Sequence, residues 1–305
     1  MTKRNEDEVT FFRSNKMIIK LNYRKYKSIE TSRPISLTIP SKILNEHSIV
    51  INSKLLTNKL FIEQNLSLEN VRTRFIQTFT RPDLSCSSAE INDKDSAISS
   101  WSNSANLLSM KMIQFFRQNE HFEQFDNDDR FLLIKRNLLP IFPLLKCYFY
   151  RNDHEFLLKW EQLTEKHQRF IFSNEQSFDI RANFNRLISS LIKMTKQDPT
   201  FLSLLMIILL FSPGFTILLE DQTFFNDSLS IYRAQTYYIE LLNNYLSRSY
   251  DQYQASTIFI EILRIIFEMQ RATSRFGDIL RSKFLSEKSV DRLAPLVQTL
   301  LQISR

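Results

Sequence analysis

The chain has 305 residues, 43% of them apolar, enough for a sizeable core in one large domain or two small ones; general disorder is excluded. Only two glycines occur, Gly214 and Gly277, which argues against folds that need repeated positive-φ turns or phosphate-cradling loops, and so against nucleotide-binding enzymes. The net charge of +7 is dispersed rather than gathered into one block, so neither a nucleic-acid backbone nor an acidic membrane is the expected partner.

Phenylalanine and leucine dominate the apolar set amid Lys, Arg, Gln and Glu, a mixture that suits amphipathic helices better than strands. Residues 1–65 hold mixed stretches such as Lys16-Met17-Ile18-Ile19-Lys20 and Ile35-Ser36-Leu37-Thr38-Ile39 with no sustained helical period. They read as a basic, irregular N-terminal extension, either short strands or a loosely ordered arm. Its cluster Arg24-Lys25-Tyr26-Lys27 suits nuclear import or phosphate binding, although solvated charge is the commoner role of such a run.

From Ser67 the pattern changes: Leu68, Val71, Phe75, Ile76 and Phe79 recur at helical spacing behind a capping serine, predicting a helix over 67–80. Residues 81–99, with Pro82 and Asp83, read as a connection, and a helix is expected over 101–120. Asp126 to Asp129 supply acidic caps ahead of Phe131-Leu132-Leu133-Ile134, so another helix begins near Asp128. Pro140 and Pro143 predict a kink or break in it.

The weakly patterned stretch 151–175 is open to a small β-hairpin, and helices follow over 177–196, 199–211, 224–249, 253–284 and 290–302. The apolar run Phe201 to Phe211 lies between Pro199 and Pro213, well short of the ~20 residues that span a bilayer, and reads as a helix buried on all sides. The 253–284 helix aligns Ile258, Ile262, Ile265 and Ile266 on one side, which suggests a dimer face.

Catalytic and metal patterns are missing. Cys86 and Cys147 stand in dissimilar surroundings and suggest neither a disulfide nor a metal site, and a reducing nuclear or cytosolic setting fits best. His47, His121, His154 and His167 show no pairing within a helical turn. Asp126, Asp128 and Asp129 stand where helix capping explains them better than acid–base chemistry. No nucleophile elbow, Walker loop or dinucleotide fingerprint occurs, and the charged opening Met1 to Glu8 is followed by no apolar segment, so export is not expected.

One long segment carries a resemblance. Phe115-Phe116-Arg117, Phe122, Asp129-Arg130 and Leu133-Ile134-Lys135 keep the order and spacing of the nuclear-receptor signature: Phe-Ala-Lys, a linking Phe, Asp-Gln, two residues, then Leu-Leu-Lys. Phe201 to Pro213 is similar to the family's apolar eighth helix, and Gln235, Tyr238 and Leu242 suit the ninth. Ala294-Pro295-Leu296-Val297-Gln298-Thr299-Leu300-Leu301 looks like the terminal activation helix, Pro-Leu-Leu-x-Glu and two apolar residues. Residues 66–305 therefore resemble the ligand-binding domain of nuclear receptors.

The resemblance implies an all-α, three-layer antiparallel helical sandwich of about 10–12 helices, with at most a small β-hairpin, acting in transcription control in the nucleus. It implies a groove for leucine-rich coregulator helices, with Ile113 and Phe131 on its floor and Arg117 gripping the partner's C-terminal carbonyls. Lys135 would border the groove, and Leu296 and Leu300 would close it. A lipophilic small molecule would sit among Leu107, Leu108, Met112, Leu144, Leu145 and Cys147, with Lys146 or Arg151 at its head-group. Ordinary packing and solvated charge are the commoner roles of such residues, so a helical interaction scaffold with a filled core is the alternative. The family also pairs as homo- or heterodimers. Two cysteines cannot supply the eight ligands of its zinc module, so DNA reading of that kind is not expected of this chain.

Two positions depart from the family pattern. Thr299 replaces the clamp glutamate, which predicts weaker coactivator binding or a preference for corepressors, and Arg130 replaces the signature Gln.

Overall fold

The computed structural model describes residues 46–80, 91–152, 154–171, 175–212 and 224–303. Every regular element among them is helical. In chain order these are α1 (Glu46–Phe79), α2 (Lys94–Arg117), α3 (Glu120–Glu123), α4 (Asn127–Asn152), α5 (His154–Ile171), α6 (Glu175–Thr195) and α7 (Pro199–Leu210). There follow α8 (Ser228–Ser249), α9 (Gln252–Ser286), a 3-10 turn (Val290–Arg292) and α10 (Pro295–Leu300). The chain divides into two compact units, Met1–Leu56 and Thr57–Arg305. Of the first, only the helical residues from Glu46 onward are described; the Arg24 cluster and the stretches at 16–20 and 35–39 lie outside the described residues, as does Cys86.

The second unit is an all-α stack with α4 at its centre, in contact with α2, α5, α6, α7, α9 and α10. That position explains the composition of α4: Leu133, Leu138, Ile141, Leu144 and Leu145 are fully buried on several sides of the helix. Pro140 and Pro143 do not break it. Each proline removes one backbone donor, but packing from several neighbouring helices supplies far more than the ~3 kcal/mol that an interior proline costs.

Local signals place the ends of several helices. Asp198 caps α7 by accepting from the Thr200 amide at 2.7 Å, with Pro199 in the first turn, and every residue from Thr200 to Leu210 is buried. Asp93 and Ser96 form a reciprocal capping box at the start of α2, Asp251 accepts from Gln254 N at the start of α9, and Asp227 accepts from Ser230 N at the start of α8.

Three expectations are corrected. The helix expected from Ser67 begins at Glu46, because no glycine or proline interrupts residues 46–80; Ser67 is an interior position whose hydroxyl accepts from Tyr237 Oη at 3.0 Å. No hairpin occupies 151–175 among the described residues; α5 and α6 do. Leu163, His167, Phe170 and Ile171 form a helical stripe that turns toward α2, and this tertiary contact overrides a weak local pattern. Ile262, Ile265 and Ile266 are core residues and Ile258 packs against the core, so the isoleucine stripe of α9 is no dimer face; the outward face carries Tyr253, Ile260 and Leu263.

His167 adds a pH dependence. Its ring sits 3.1 Å from Ser100 Oγ in a buried pocket, and burial pushes its pKa down to about 4. The unfolded chain takes up a proton near pH 6.5, whereas the folded chain resists it until about 4. The stabilisation is therefore full above pH 6.5 and is lost as pH falls through that window, by about 2 kcal/mol between pH 7 and 5. Urea titrations of wild type and His167→Gln at both pH values check this; equal pH dependence in the two proteins would remove the assignment.

Candidate partner-helix groove

The last turns of α2 present Met110, Ile113 and Arg117 on one face, at spacings that bring residues above one another. The opposite face buries Leu108, Met112, Phe115 and Phe116 in the main core. Met110 is 54% exposed, Ile113 is half-buried against the core, and the Arg117 side chain is 67% exposed. The first turns of α4, a helix in contact with α2, carry Phe131, also 54% exposed, and Lys135 one turn further on. Met110 and Phe131 are thus large apolar side chains left exposed on two helices that touch each other.

The start of α4 is held by two carboxylates with separate tasks. Asp126 accepts from the Asp129 amide at 2.7 Å and from Asn226 Nδ2 at 3.0 Å; the first of these bonds, then the second, holds its carboxyl below the usual range. Asp129 is 1% exposed and does not cap its own helix: its oxygens accept from the backbone amides of Asn226 and Asp227, at 2.8 and 2.9 Å, where α8 begins. Sequence reading treated both as caps of one helix. The signal that separates them is burial, which no local pattern carries.

The terminal helix α10 packs on both α2 and α4. Ala294 N donates to Ser102 Oγ at 2.7 Å, Arg281 Nε donates to Leu301 O at 2.7 Å, and Gln298 Nε2 donates to Leu293 O at 2.8 Å. Both ends of the segment are thus tied to other elements. Leu296 leans on the main core, Leu300 is 5% exposed, and Thr299 turns its hydroxyl back to Pro295 O at 3.0 Å. Leu300 and Lys135 line one cleft of roughly 50 Å³ with Asn137, Leu139, Gln270 and Gly277, far smaller than the ~300 Å³ or more of a drug-sized pocket. Asn137 is buried in its wall and donates to Leu210 O and Ser212 O at the end of α7.

Arg117 and Arg130, two of the sequence-predicted groove residues, share one partner that sequence reading missed. Glu123 Oε1 lies 3.2 Å from Arg117 Nε, and Glu123 Oε2 lies 2.9 Å from Arg130 Nη1. Arg130 Nη2 also donates to Asn127 Oδ1 at 2.6 Å. Glu123 belongs to the one-turn helix α3, whose register depends on Asn119 capping it and donating to Tyr238 Oη at 2.8 Å.

The predicted ligand-pocket positions come together, but as close-packed core. Leu108, Met112, Leu144, Leu145 and Cys147 are each at most 3% exposed and belong to the main apolar cluster; Leu107 is half-buried. Aromatic rings crowd the same cluster, with Phe75 meeting Phe115 at 5.5 Å and Tyr148 at 4.8 Å edge to face. Burial raises the Cys147 thiol to about 12, which leaves it protonated and unreactive. Lys146 is engaged with Glu161 at 3.5 Å, and the Arg151 side chain lies outside the described residues.

Among the described residues, no three His, Cys, Asp or Glu side chains converge as a metal site, and no helix is long and apolar enough to cross a membrane. No family model matches the chain, and comparison with curated proteins returns no match.

Proposed function

We propose that the chain is a nuclear-receptor-like regulatory domain that receives a leucine-rich coregulator helix between α2, α4 and α10 and acts in transcription control in the nucleus. The observation that carries this reading is that α10 packs on both α2 and α4, whose exposed residues include Met110 and Phe131, with Arg117 at the end of α2. An amphipathic helix laid there would cover exposed apolar side chains, and Arg117 would face the negative end of the incoming helix dipole.

The terminal helix itself carries no acidic residue, since α10 reads Pro-Leu-Val-Gln-Thr-Leu. A glutamate at Thr299 would attract the partner's positive N-terminus, so Thr299→Glu is expected to tighten binding of a leucine-rich helical peptide by roughly 5-fold, from about 1 kcal/mol. Fluorescence anisotropy with a labelled peptide measures this. Absence of binding by both proteins at millimolar peptide would end the reading.

A second reading keeps the groove and dispenses with the ligand. The near-complete burial of Leu108, Met112, Leu144, Leu145 and Cys147 favours a scaffold whose core is filled by its own side chains over one that holds a lipophilic small molecule.

A further inference from the structure

We propose that the cleft between α4, α9 and α10 is a binding site for a small neutral molecule of the amide class, one that carries an N–H donor beside a carbonyl acceptor. The site is independent of the partner-helix groove.

Two buried side-chain amides line this cleft of roughly 50 Å³, Asn137 at 1% exposure and Gln270 at 6%. The Asn137 amide has a fixed orientation, because Nδ2 donates to Leu210 O at 2.9 Å and to Ser212 O at 2.8 Å, which uses both of its protons. Its Oδ1 is left buried with no hydrogen-bond partner. Gln270 makes no side-chain hydrogen bond among the described residues, so its amide keeps both a donor and an acceptor open. The α4 wall adds main-chain acceptors: Pro140 and Pro143 have no N–H, so the carbonyls of Arg136 and Leu139, both lining residues, lack their α-helical donors. A ligand N–H thus finds acceptors on α4 and an amide on α9. Supplying it relieves the cost of a buried oxygen that nothing meets.

The charged side chains of the lining are engaged elsewhere. Arg281 holds Leu301 O and Asp278, Arg136 lies over the Phe225 ring at 5.1 Å, and Lys135 has a partner of its own. The open hydrogen-bonding capacity is that of neutral amides, and a neutral amide meets it without bringing an uncompensated charge into the site.

Gly277 keeps the space open. It is one of two glycines in the chain and stands inside α9, where alanine would favour the helix. A Cβ there would meet only Leu139 Cδ2, at 3.4 Å, an ordinary contact, so packing does not require the glycine. What the missing methyl leaves is room: a cleft of roughly 50 Å³ holds about four water-sized groups, the size of acetamide.

Acetamide, acetate and acetamidinium share one skeleton and differ in charge. Each is titrated into the full chain while the NMR signals of the Asn137 and Gln270 side-chain amides are followed. Acetamide is expected to shift both signals and to bind about 10-fold more tightly than either ion. Gly277→Ala is expected to weaken acetamide about 10-fold while its urea midpoint stays level or rises, since the methyl fills the cleft and favours the helix. Gln270→Met keeps the side-chain length, loses the amide, and is expected to do the same. A residue of merely structural importance would instead lower the midpoint. Equal or tighter binding of acetate or acetamidinium overturns the proposal, and so do acetamide shifts that neither variant reduces. If no probe shifts either signal up to about 100 mM, water alone satisfies Asn137 and the proposal falls.

Discussion

Asp129→Ala is expected to lower the folding free energy by about 3 kcal/mol, since hydrogen bonds to a buried charged group contribute about 1.5–3 kcal/mol each and two are lost. The carboxylate is 1% exposed and takes the backbone amides of Asn226 and Asp227 immediately before α8. Alanine would leave two amide donors at a part-buried junction without their acceptors and remove a negative charge from the positive end of α8. Asp129→Asn keeps one acceptor oxygen and is expected to cost about half as much. Urea unfolding followed by circular dichroism gives both values. A loss below about 1 kcal/mol for alanine would mean that water replaces the carboxylate and that the junction is open.

Leu144→Ala is expected to cost about 3 kcal/mol, within the range for leucine truncations at close-packed positions. Leu144 is fully buried in the cluster that includes Leu145, Cys147 and Met112. The result separates the two readings of the core. If these side chains pack only on one another, truncation opens a void and the full cost appears, and solvent extraction of the purified protein yields no stoichiometric lipid. If they line a chamber that holds a lipophilic molecule, truncation merely enlarges it, the cost falls toward about 1 kcal/mol, and lipid is recovered by mass spectrometry. The edge-to-face aromatic contacts of Phe75 with Phe115 and Tyr148 favour the first outcome.

The groove shows how far sequence reading reaches. The resemblance points to Ile113, Arg117, Phe131 and Lys135, and the fold gives them half-buried or exposed positions on α2 and α4. Glu123 was overlooked because a lone acidic residue in a short link has no periodicity. Its role depends on Arg117 and Arg130 approaching from two different helices. Met110 is not legible in the sequence because an apolar residue on an amphipathic helix is core by default, and only the fold leaves it exposed. The isoleucines of α9 show the reverse error: an aligned stripe identifies a face but does not say whether that face meets the core or a second molecule.

By itself, the order of residues determined the all-α character of the described residues and most of their helix positions, including α7 with its first-turn Pro199 and its long apolar run. These rest on hydrogen bonds and side-chain spacings that span three or four residues, so they are complete within a short window. Tertiary structure alone decided that α4 continues through Pro140 and Pro143, that 154–171 is helix, and that Asp129 serves α8 rather than α4. It also decided that Leu144 and Cys147 are buried. In each case the deciding energy comes from groups distant in the chain, through burial and desolvation, and it exceeds the local preference it overrides.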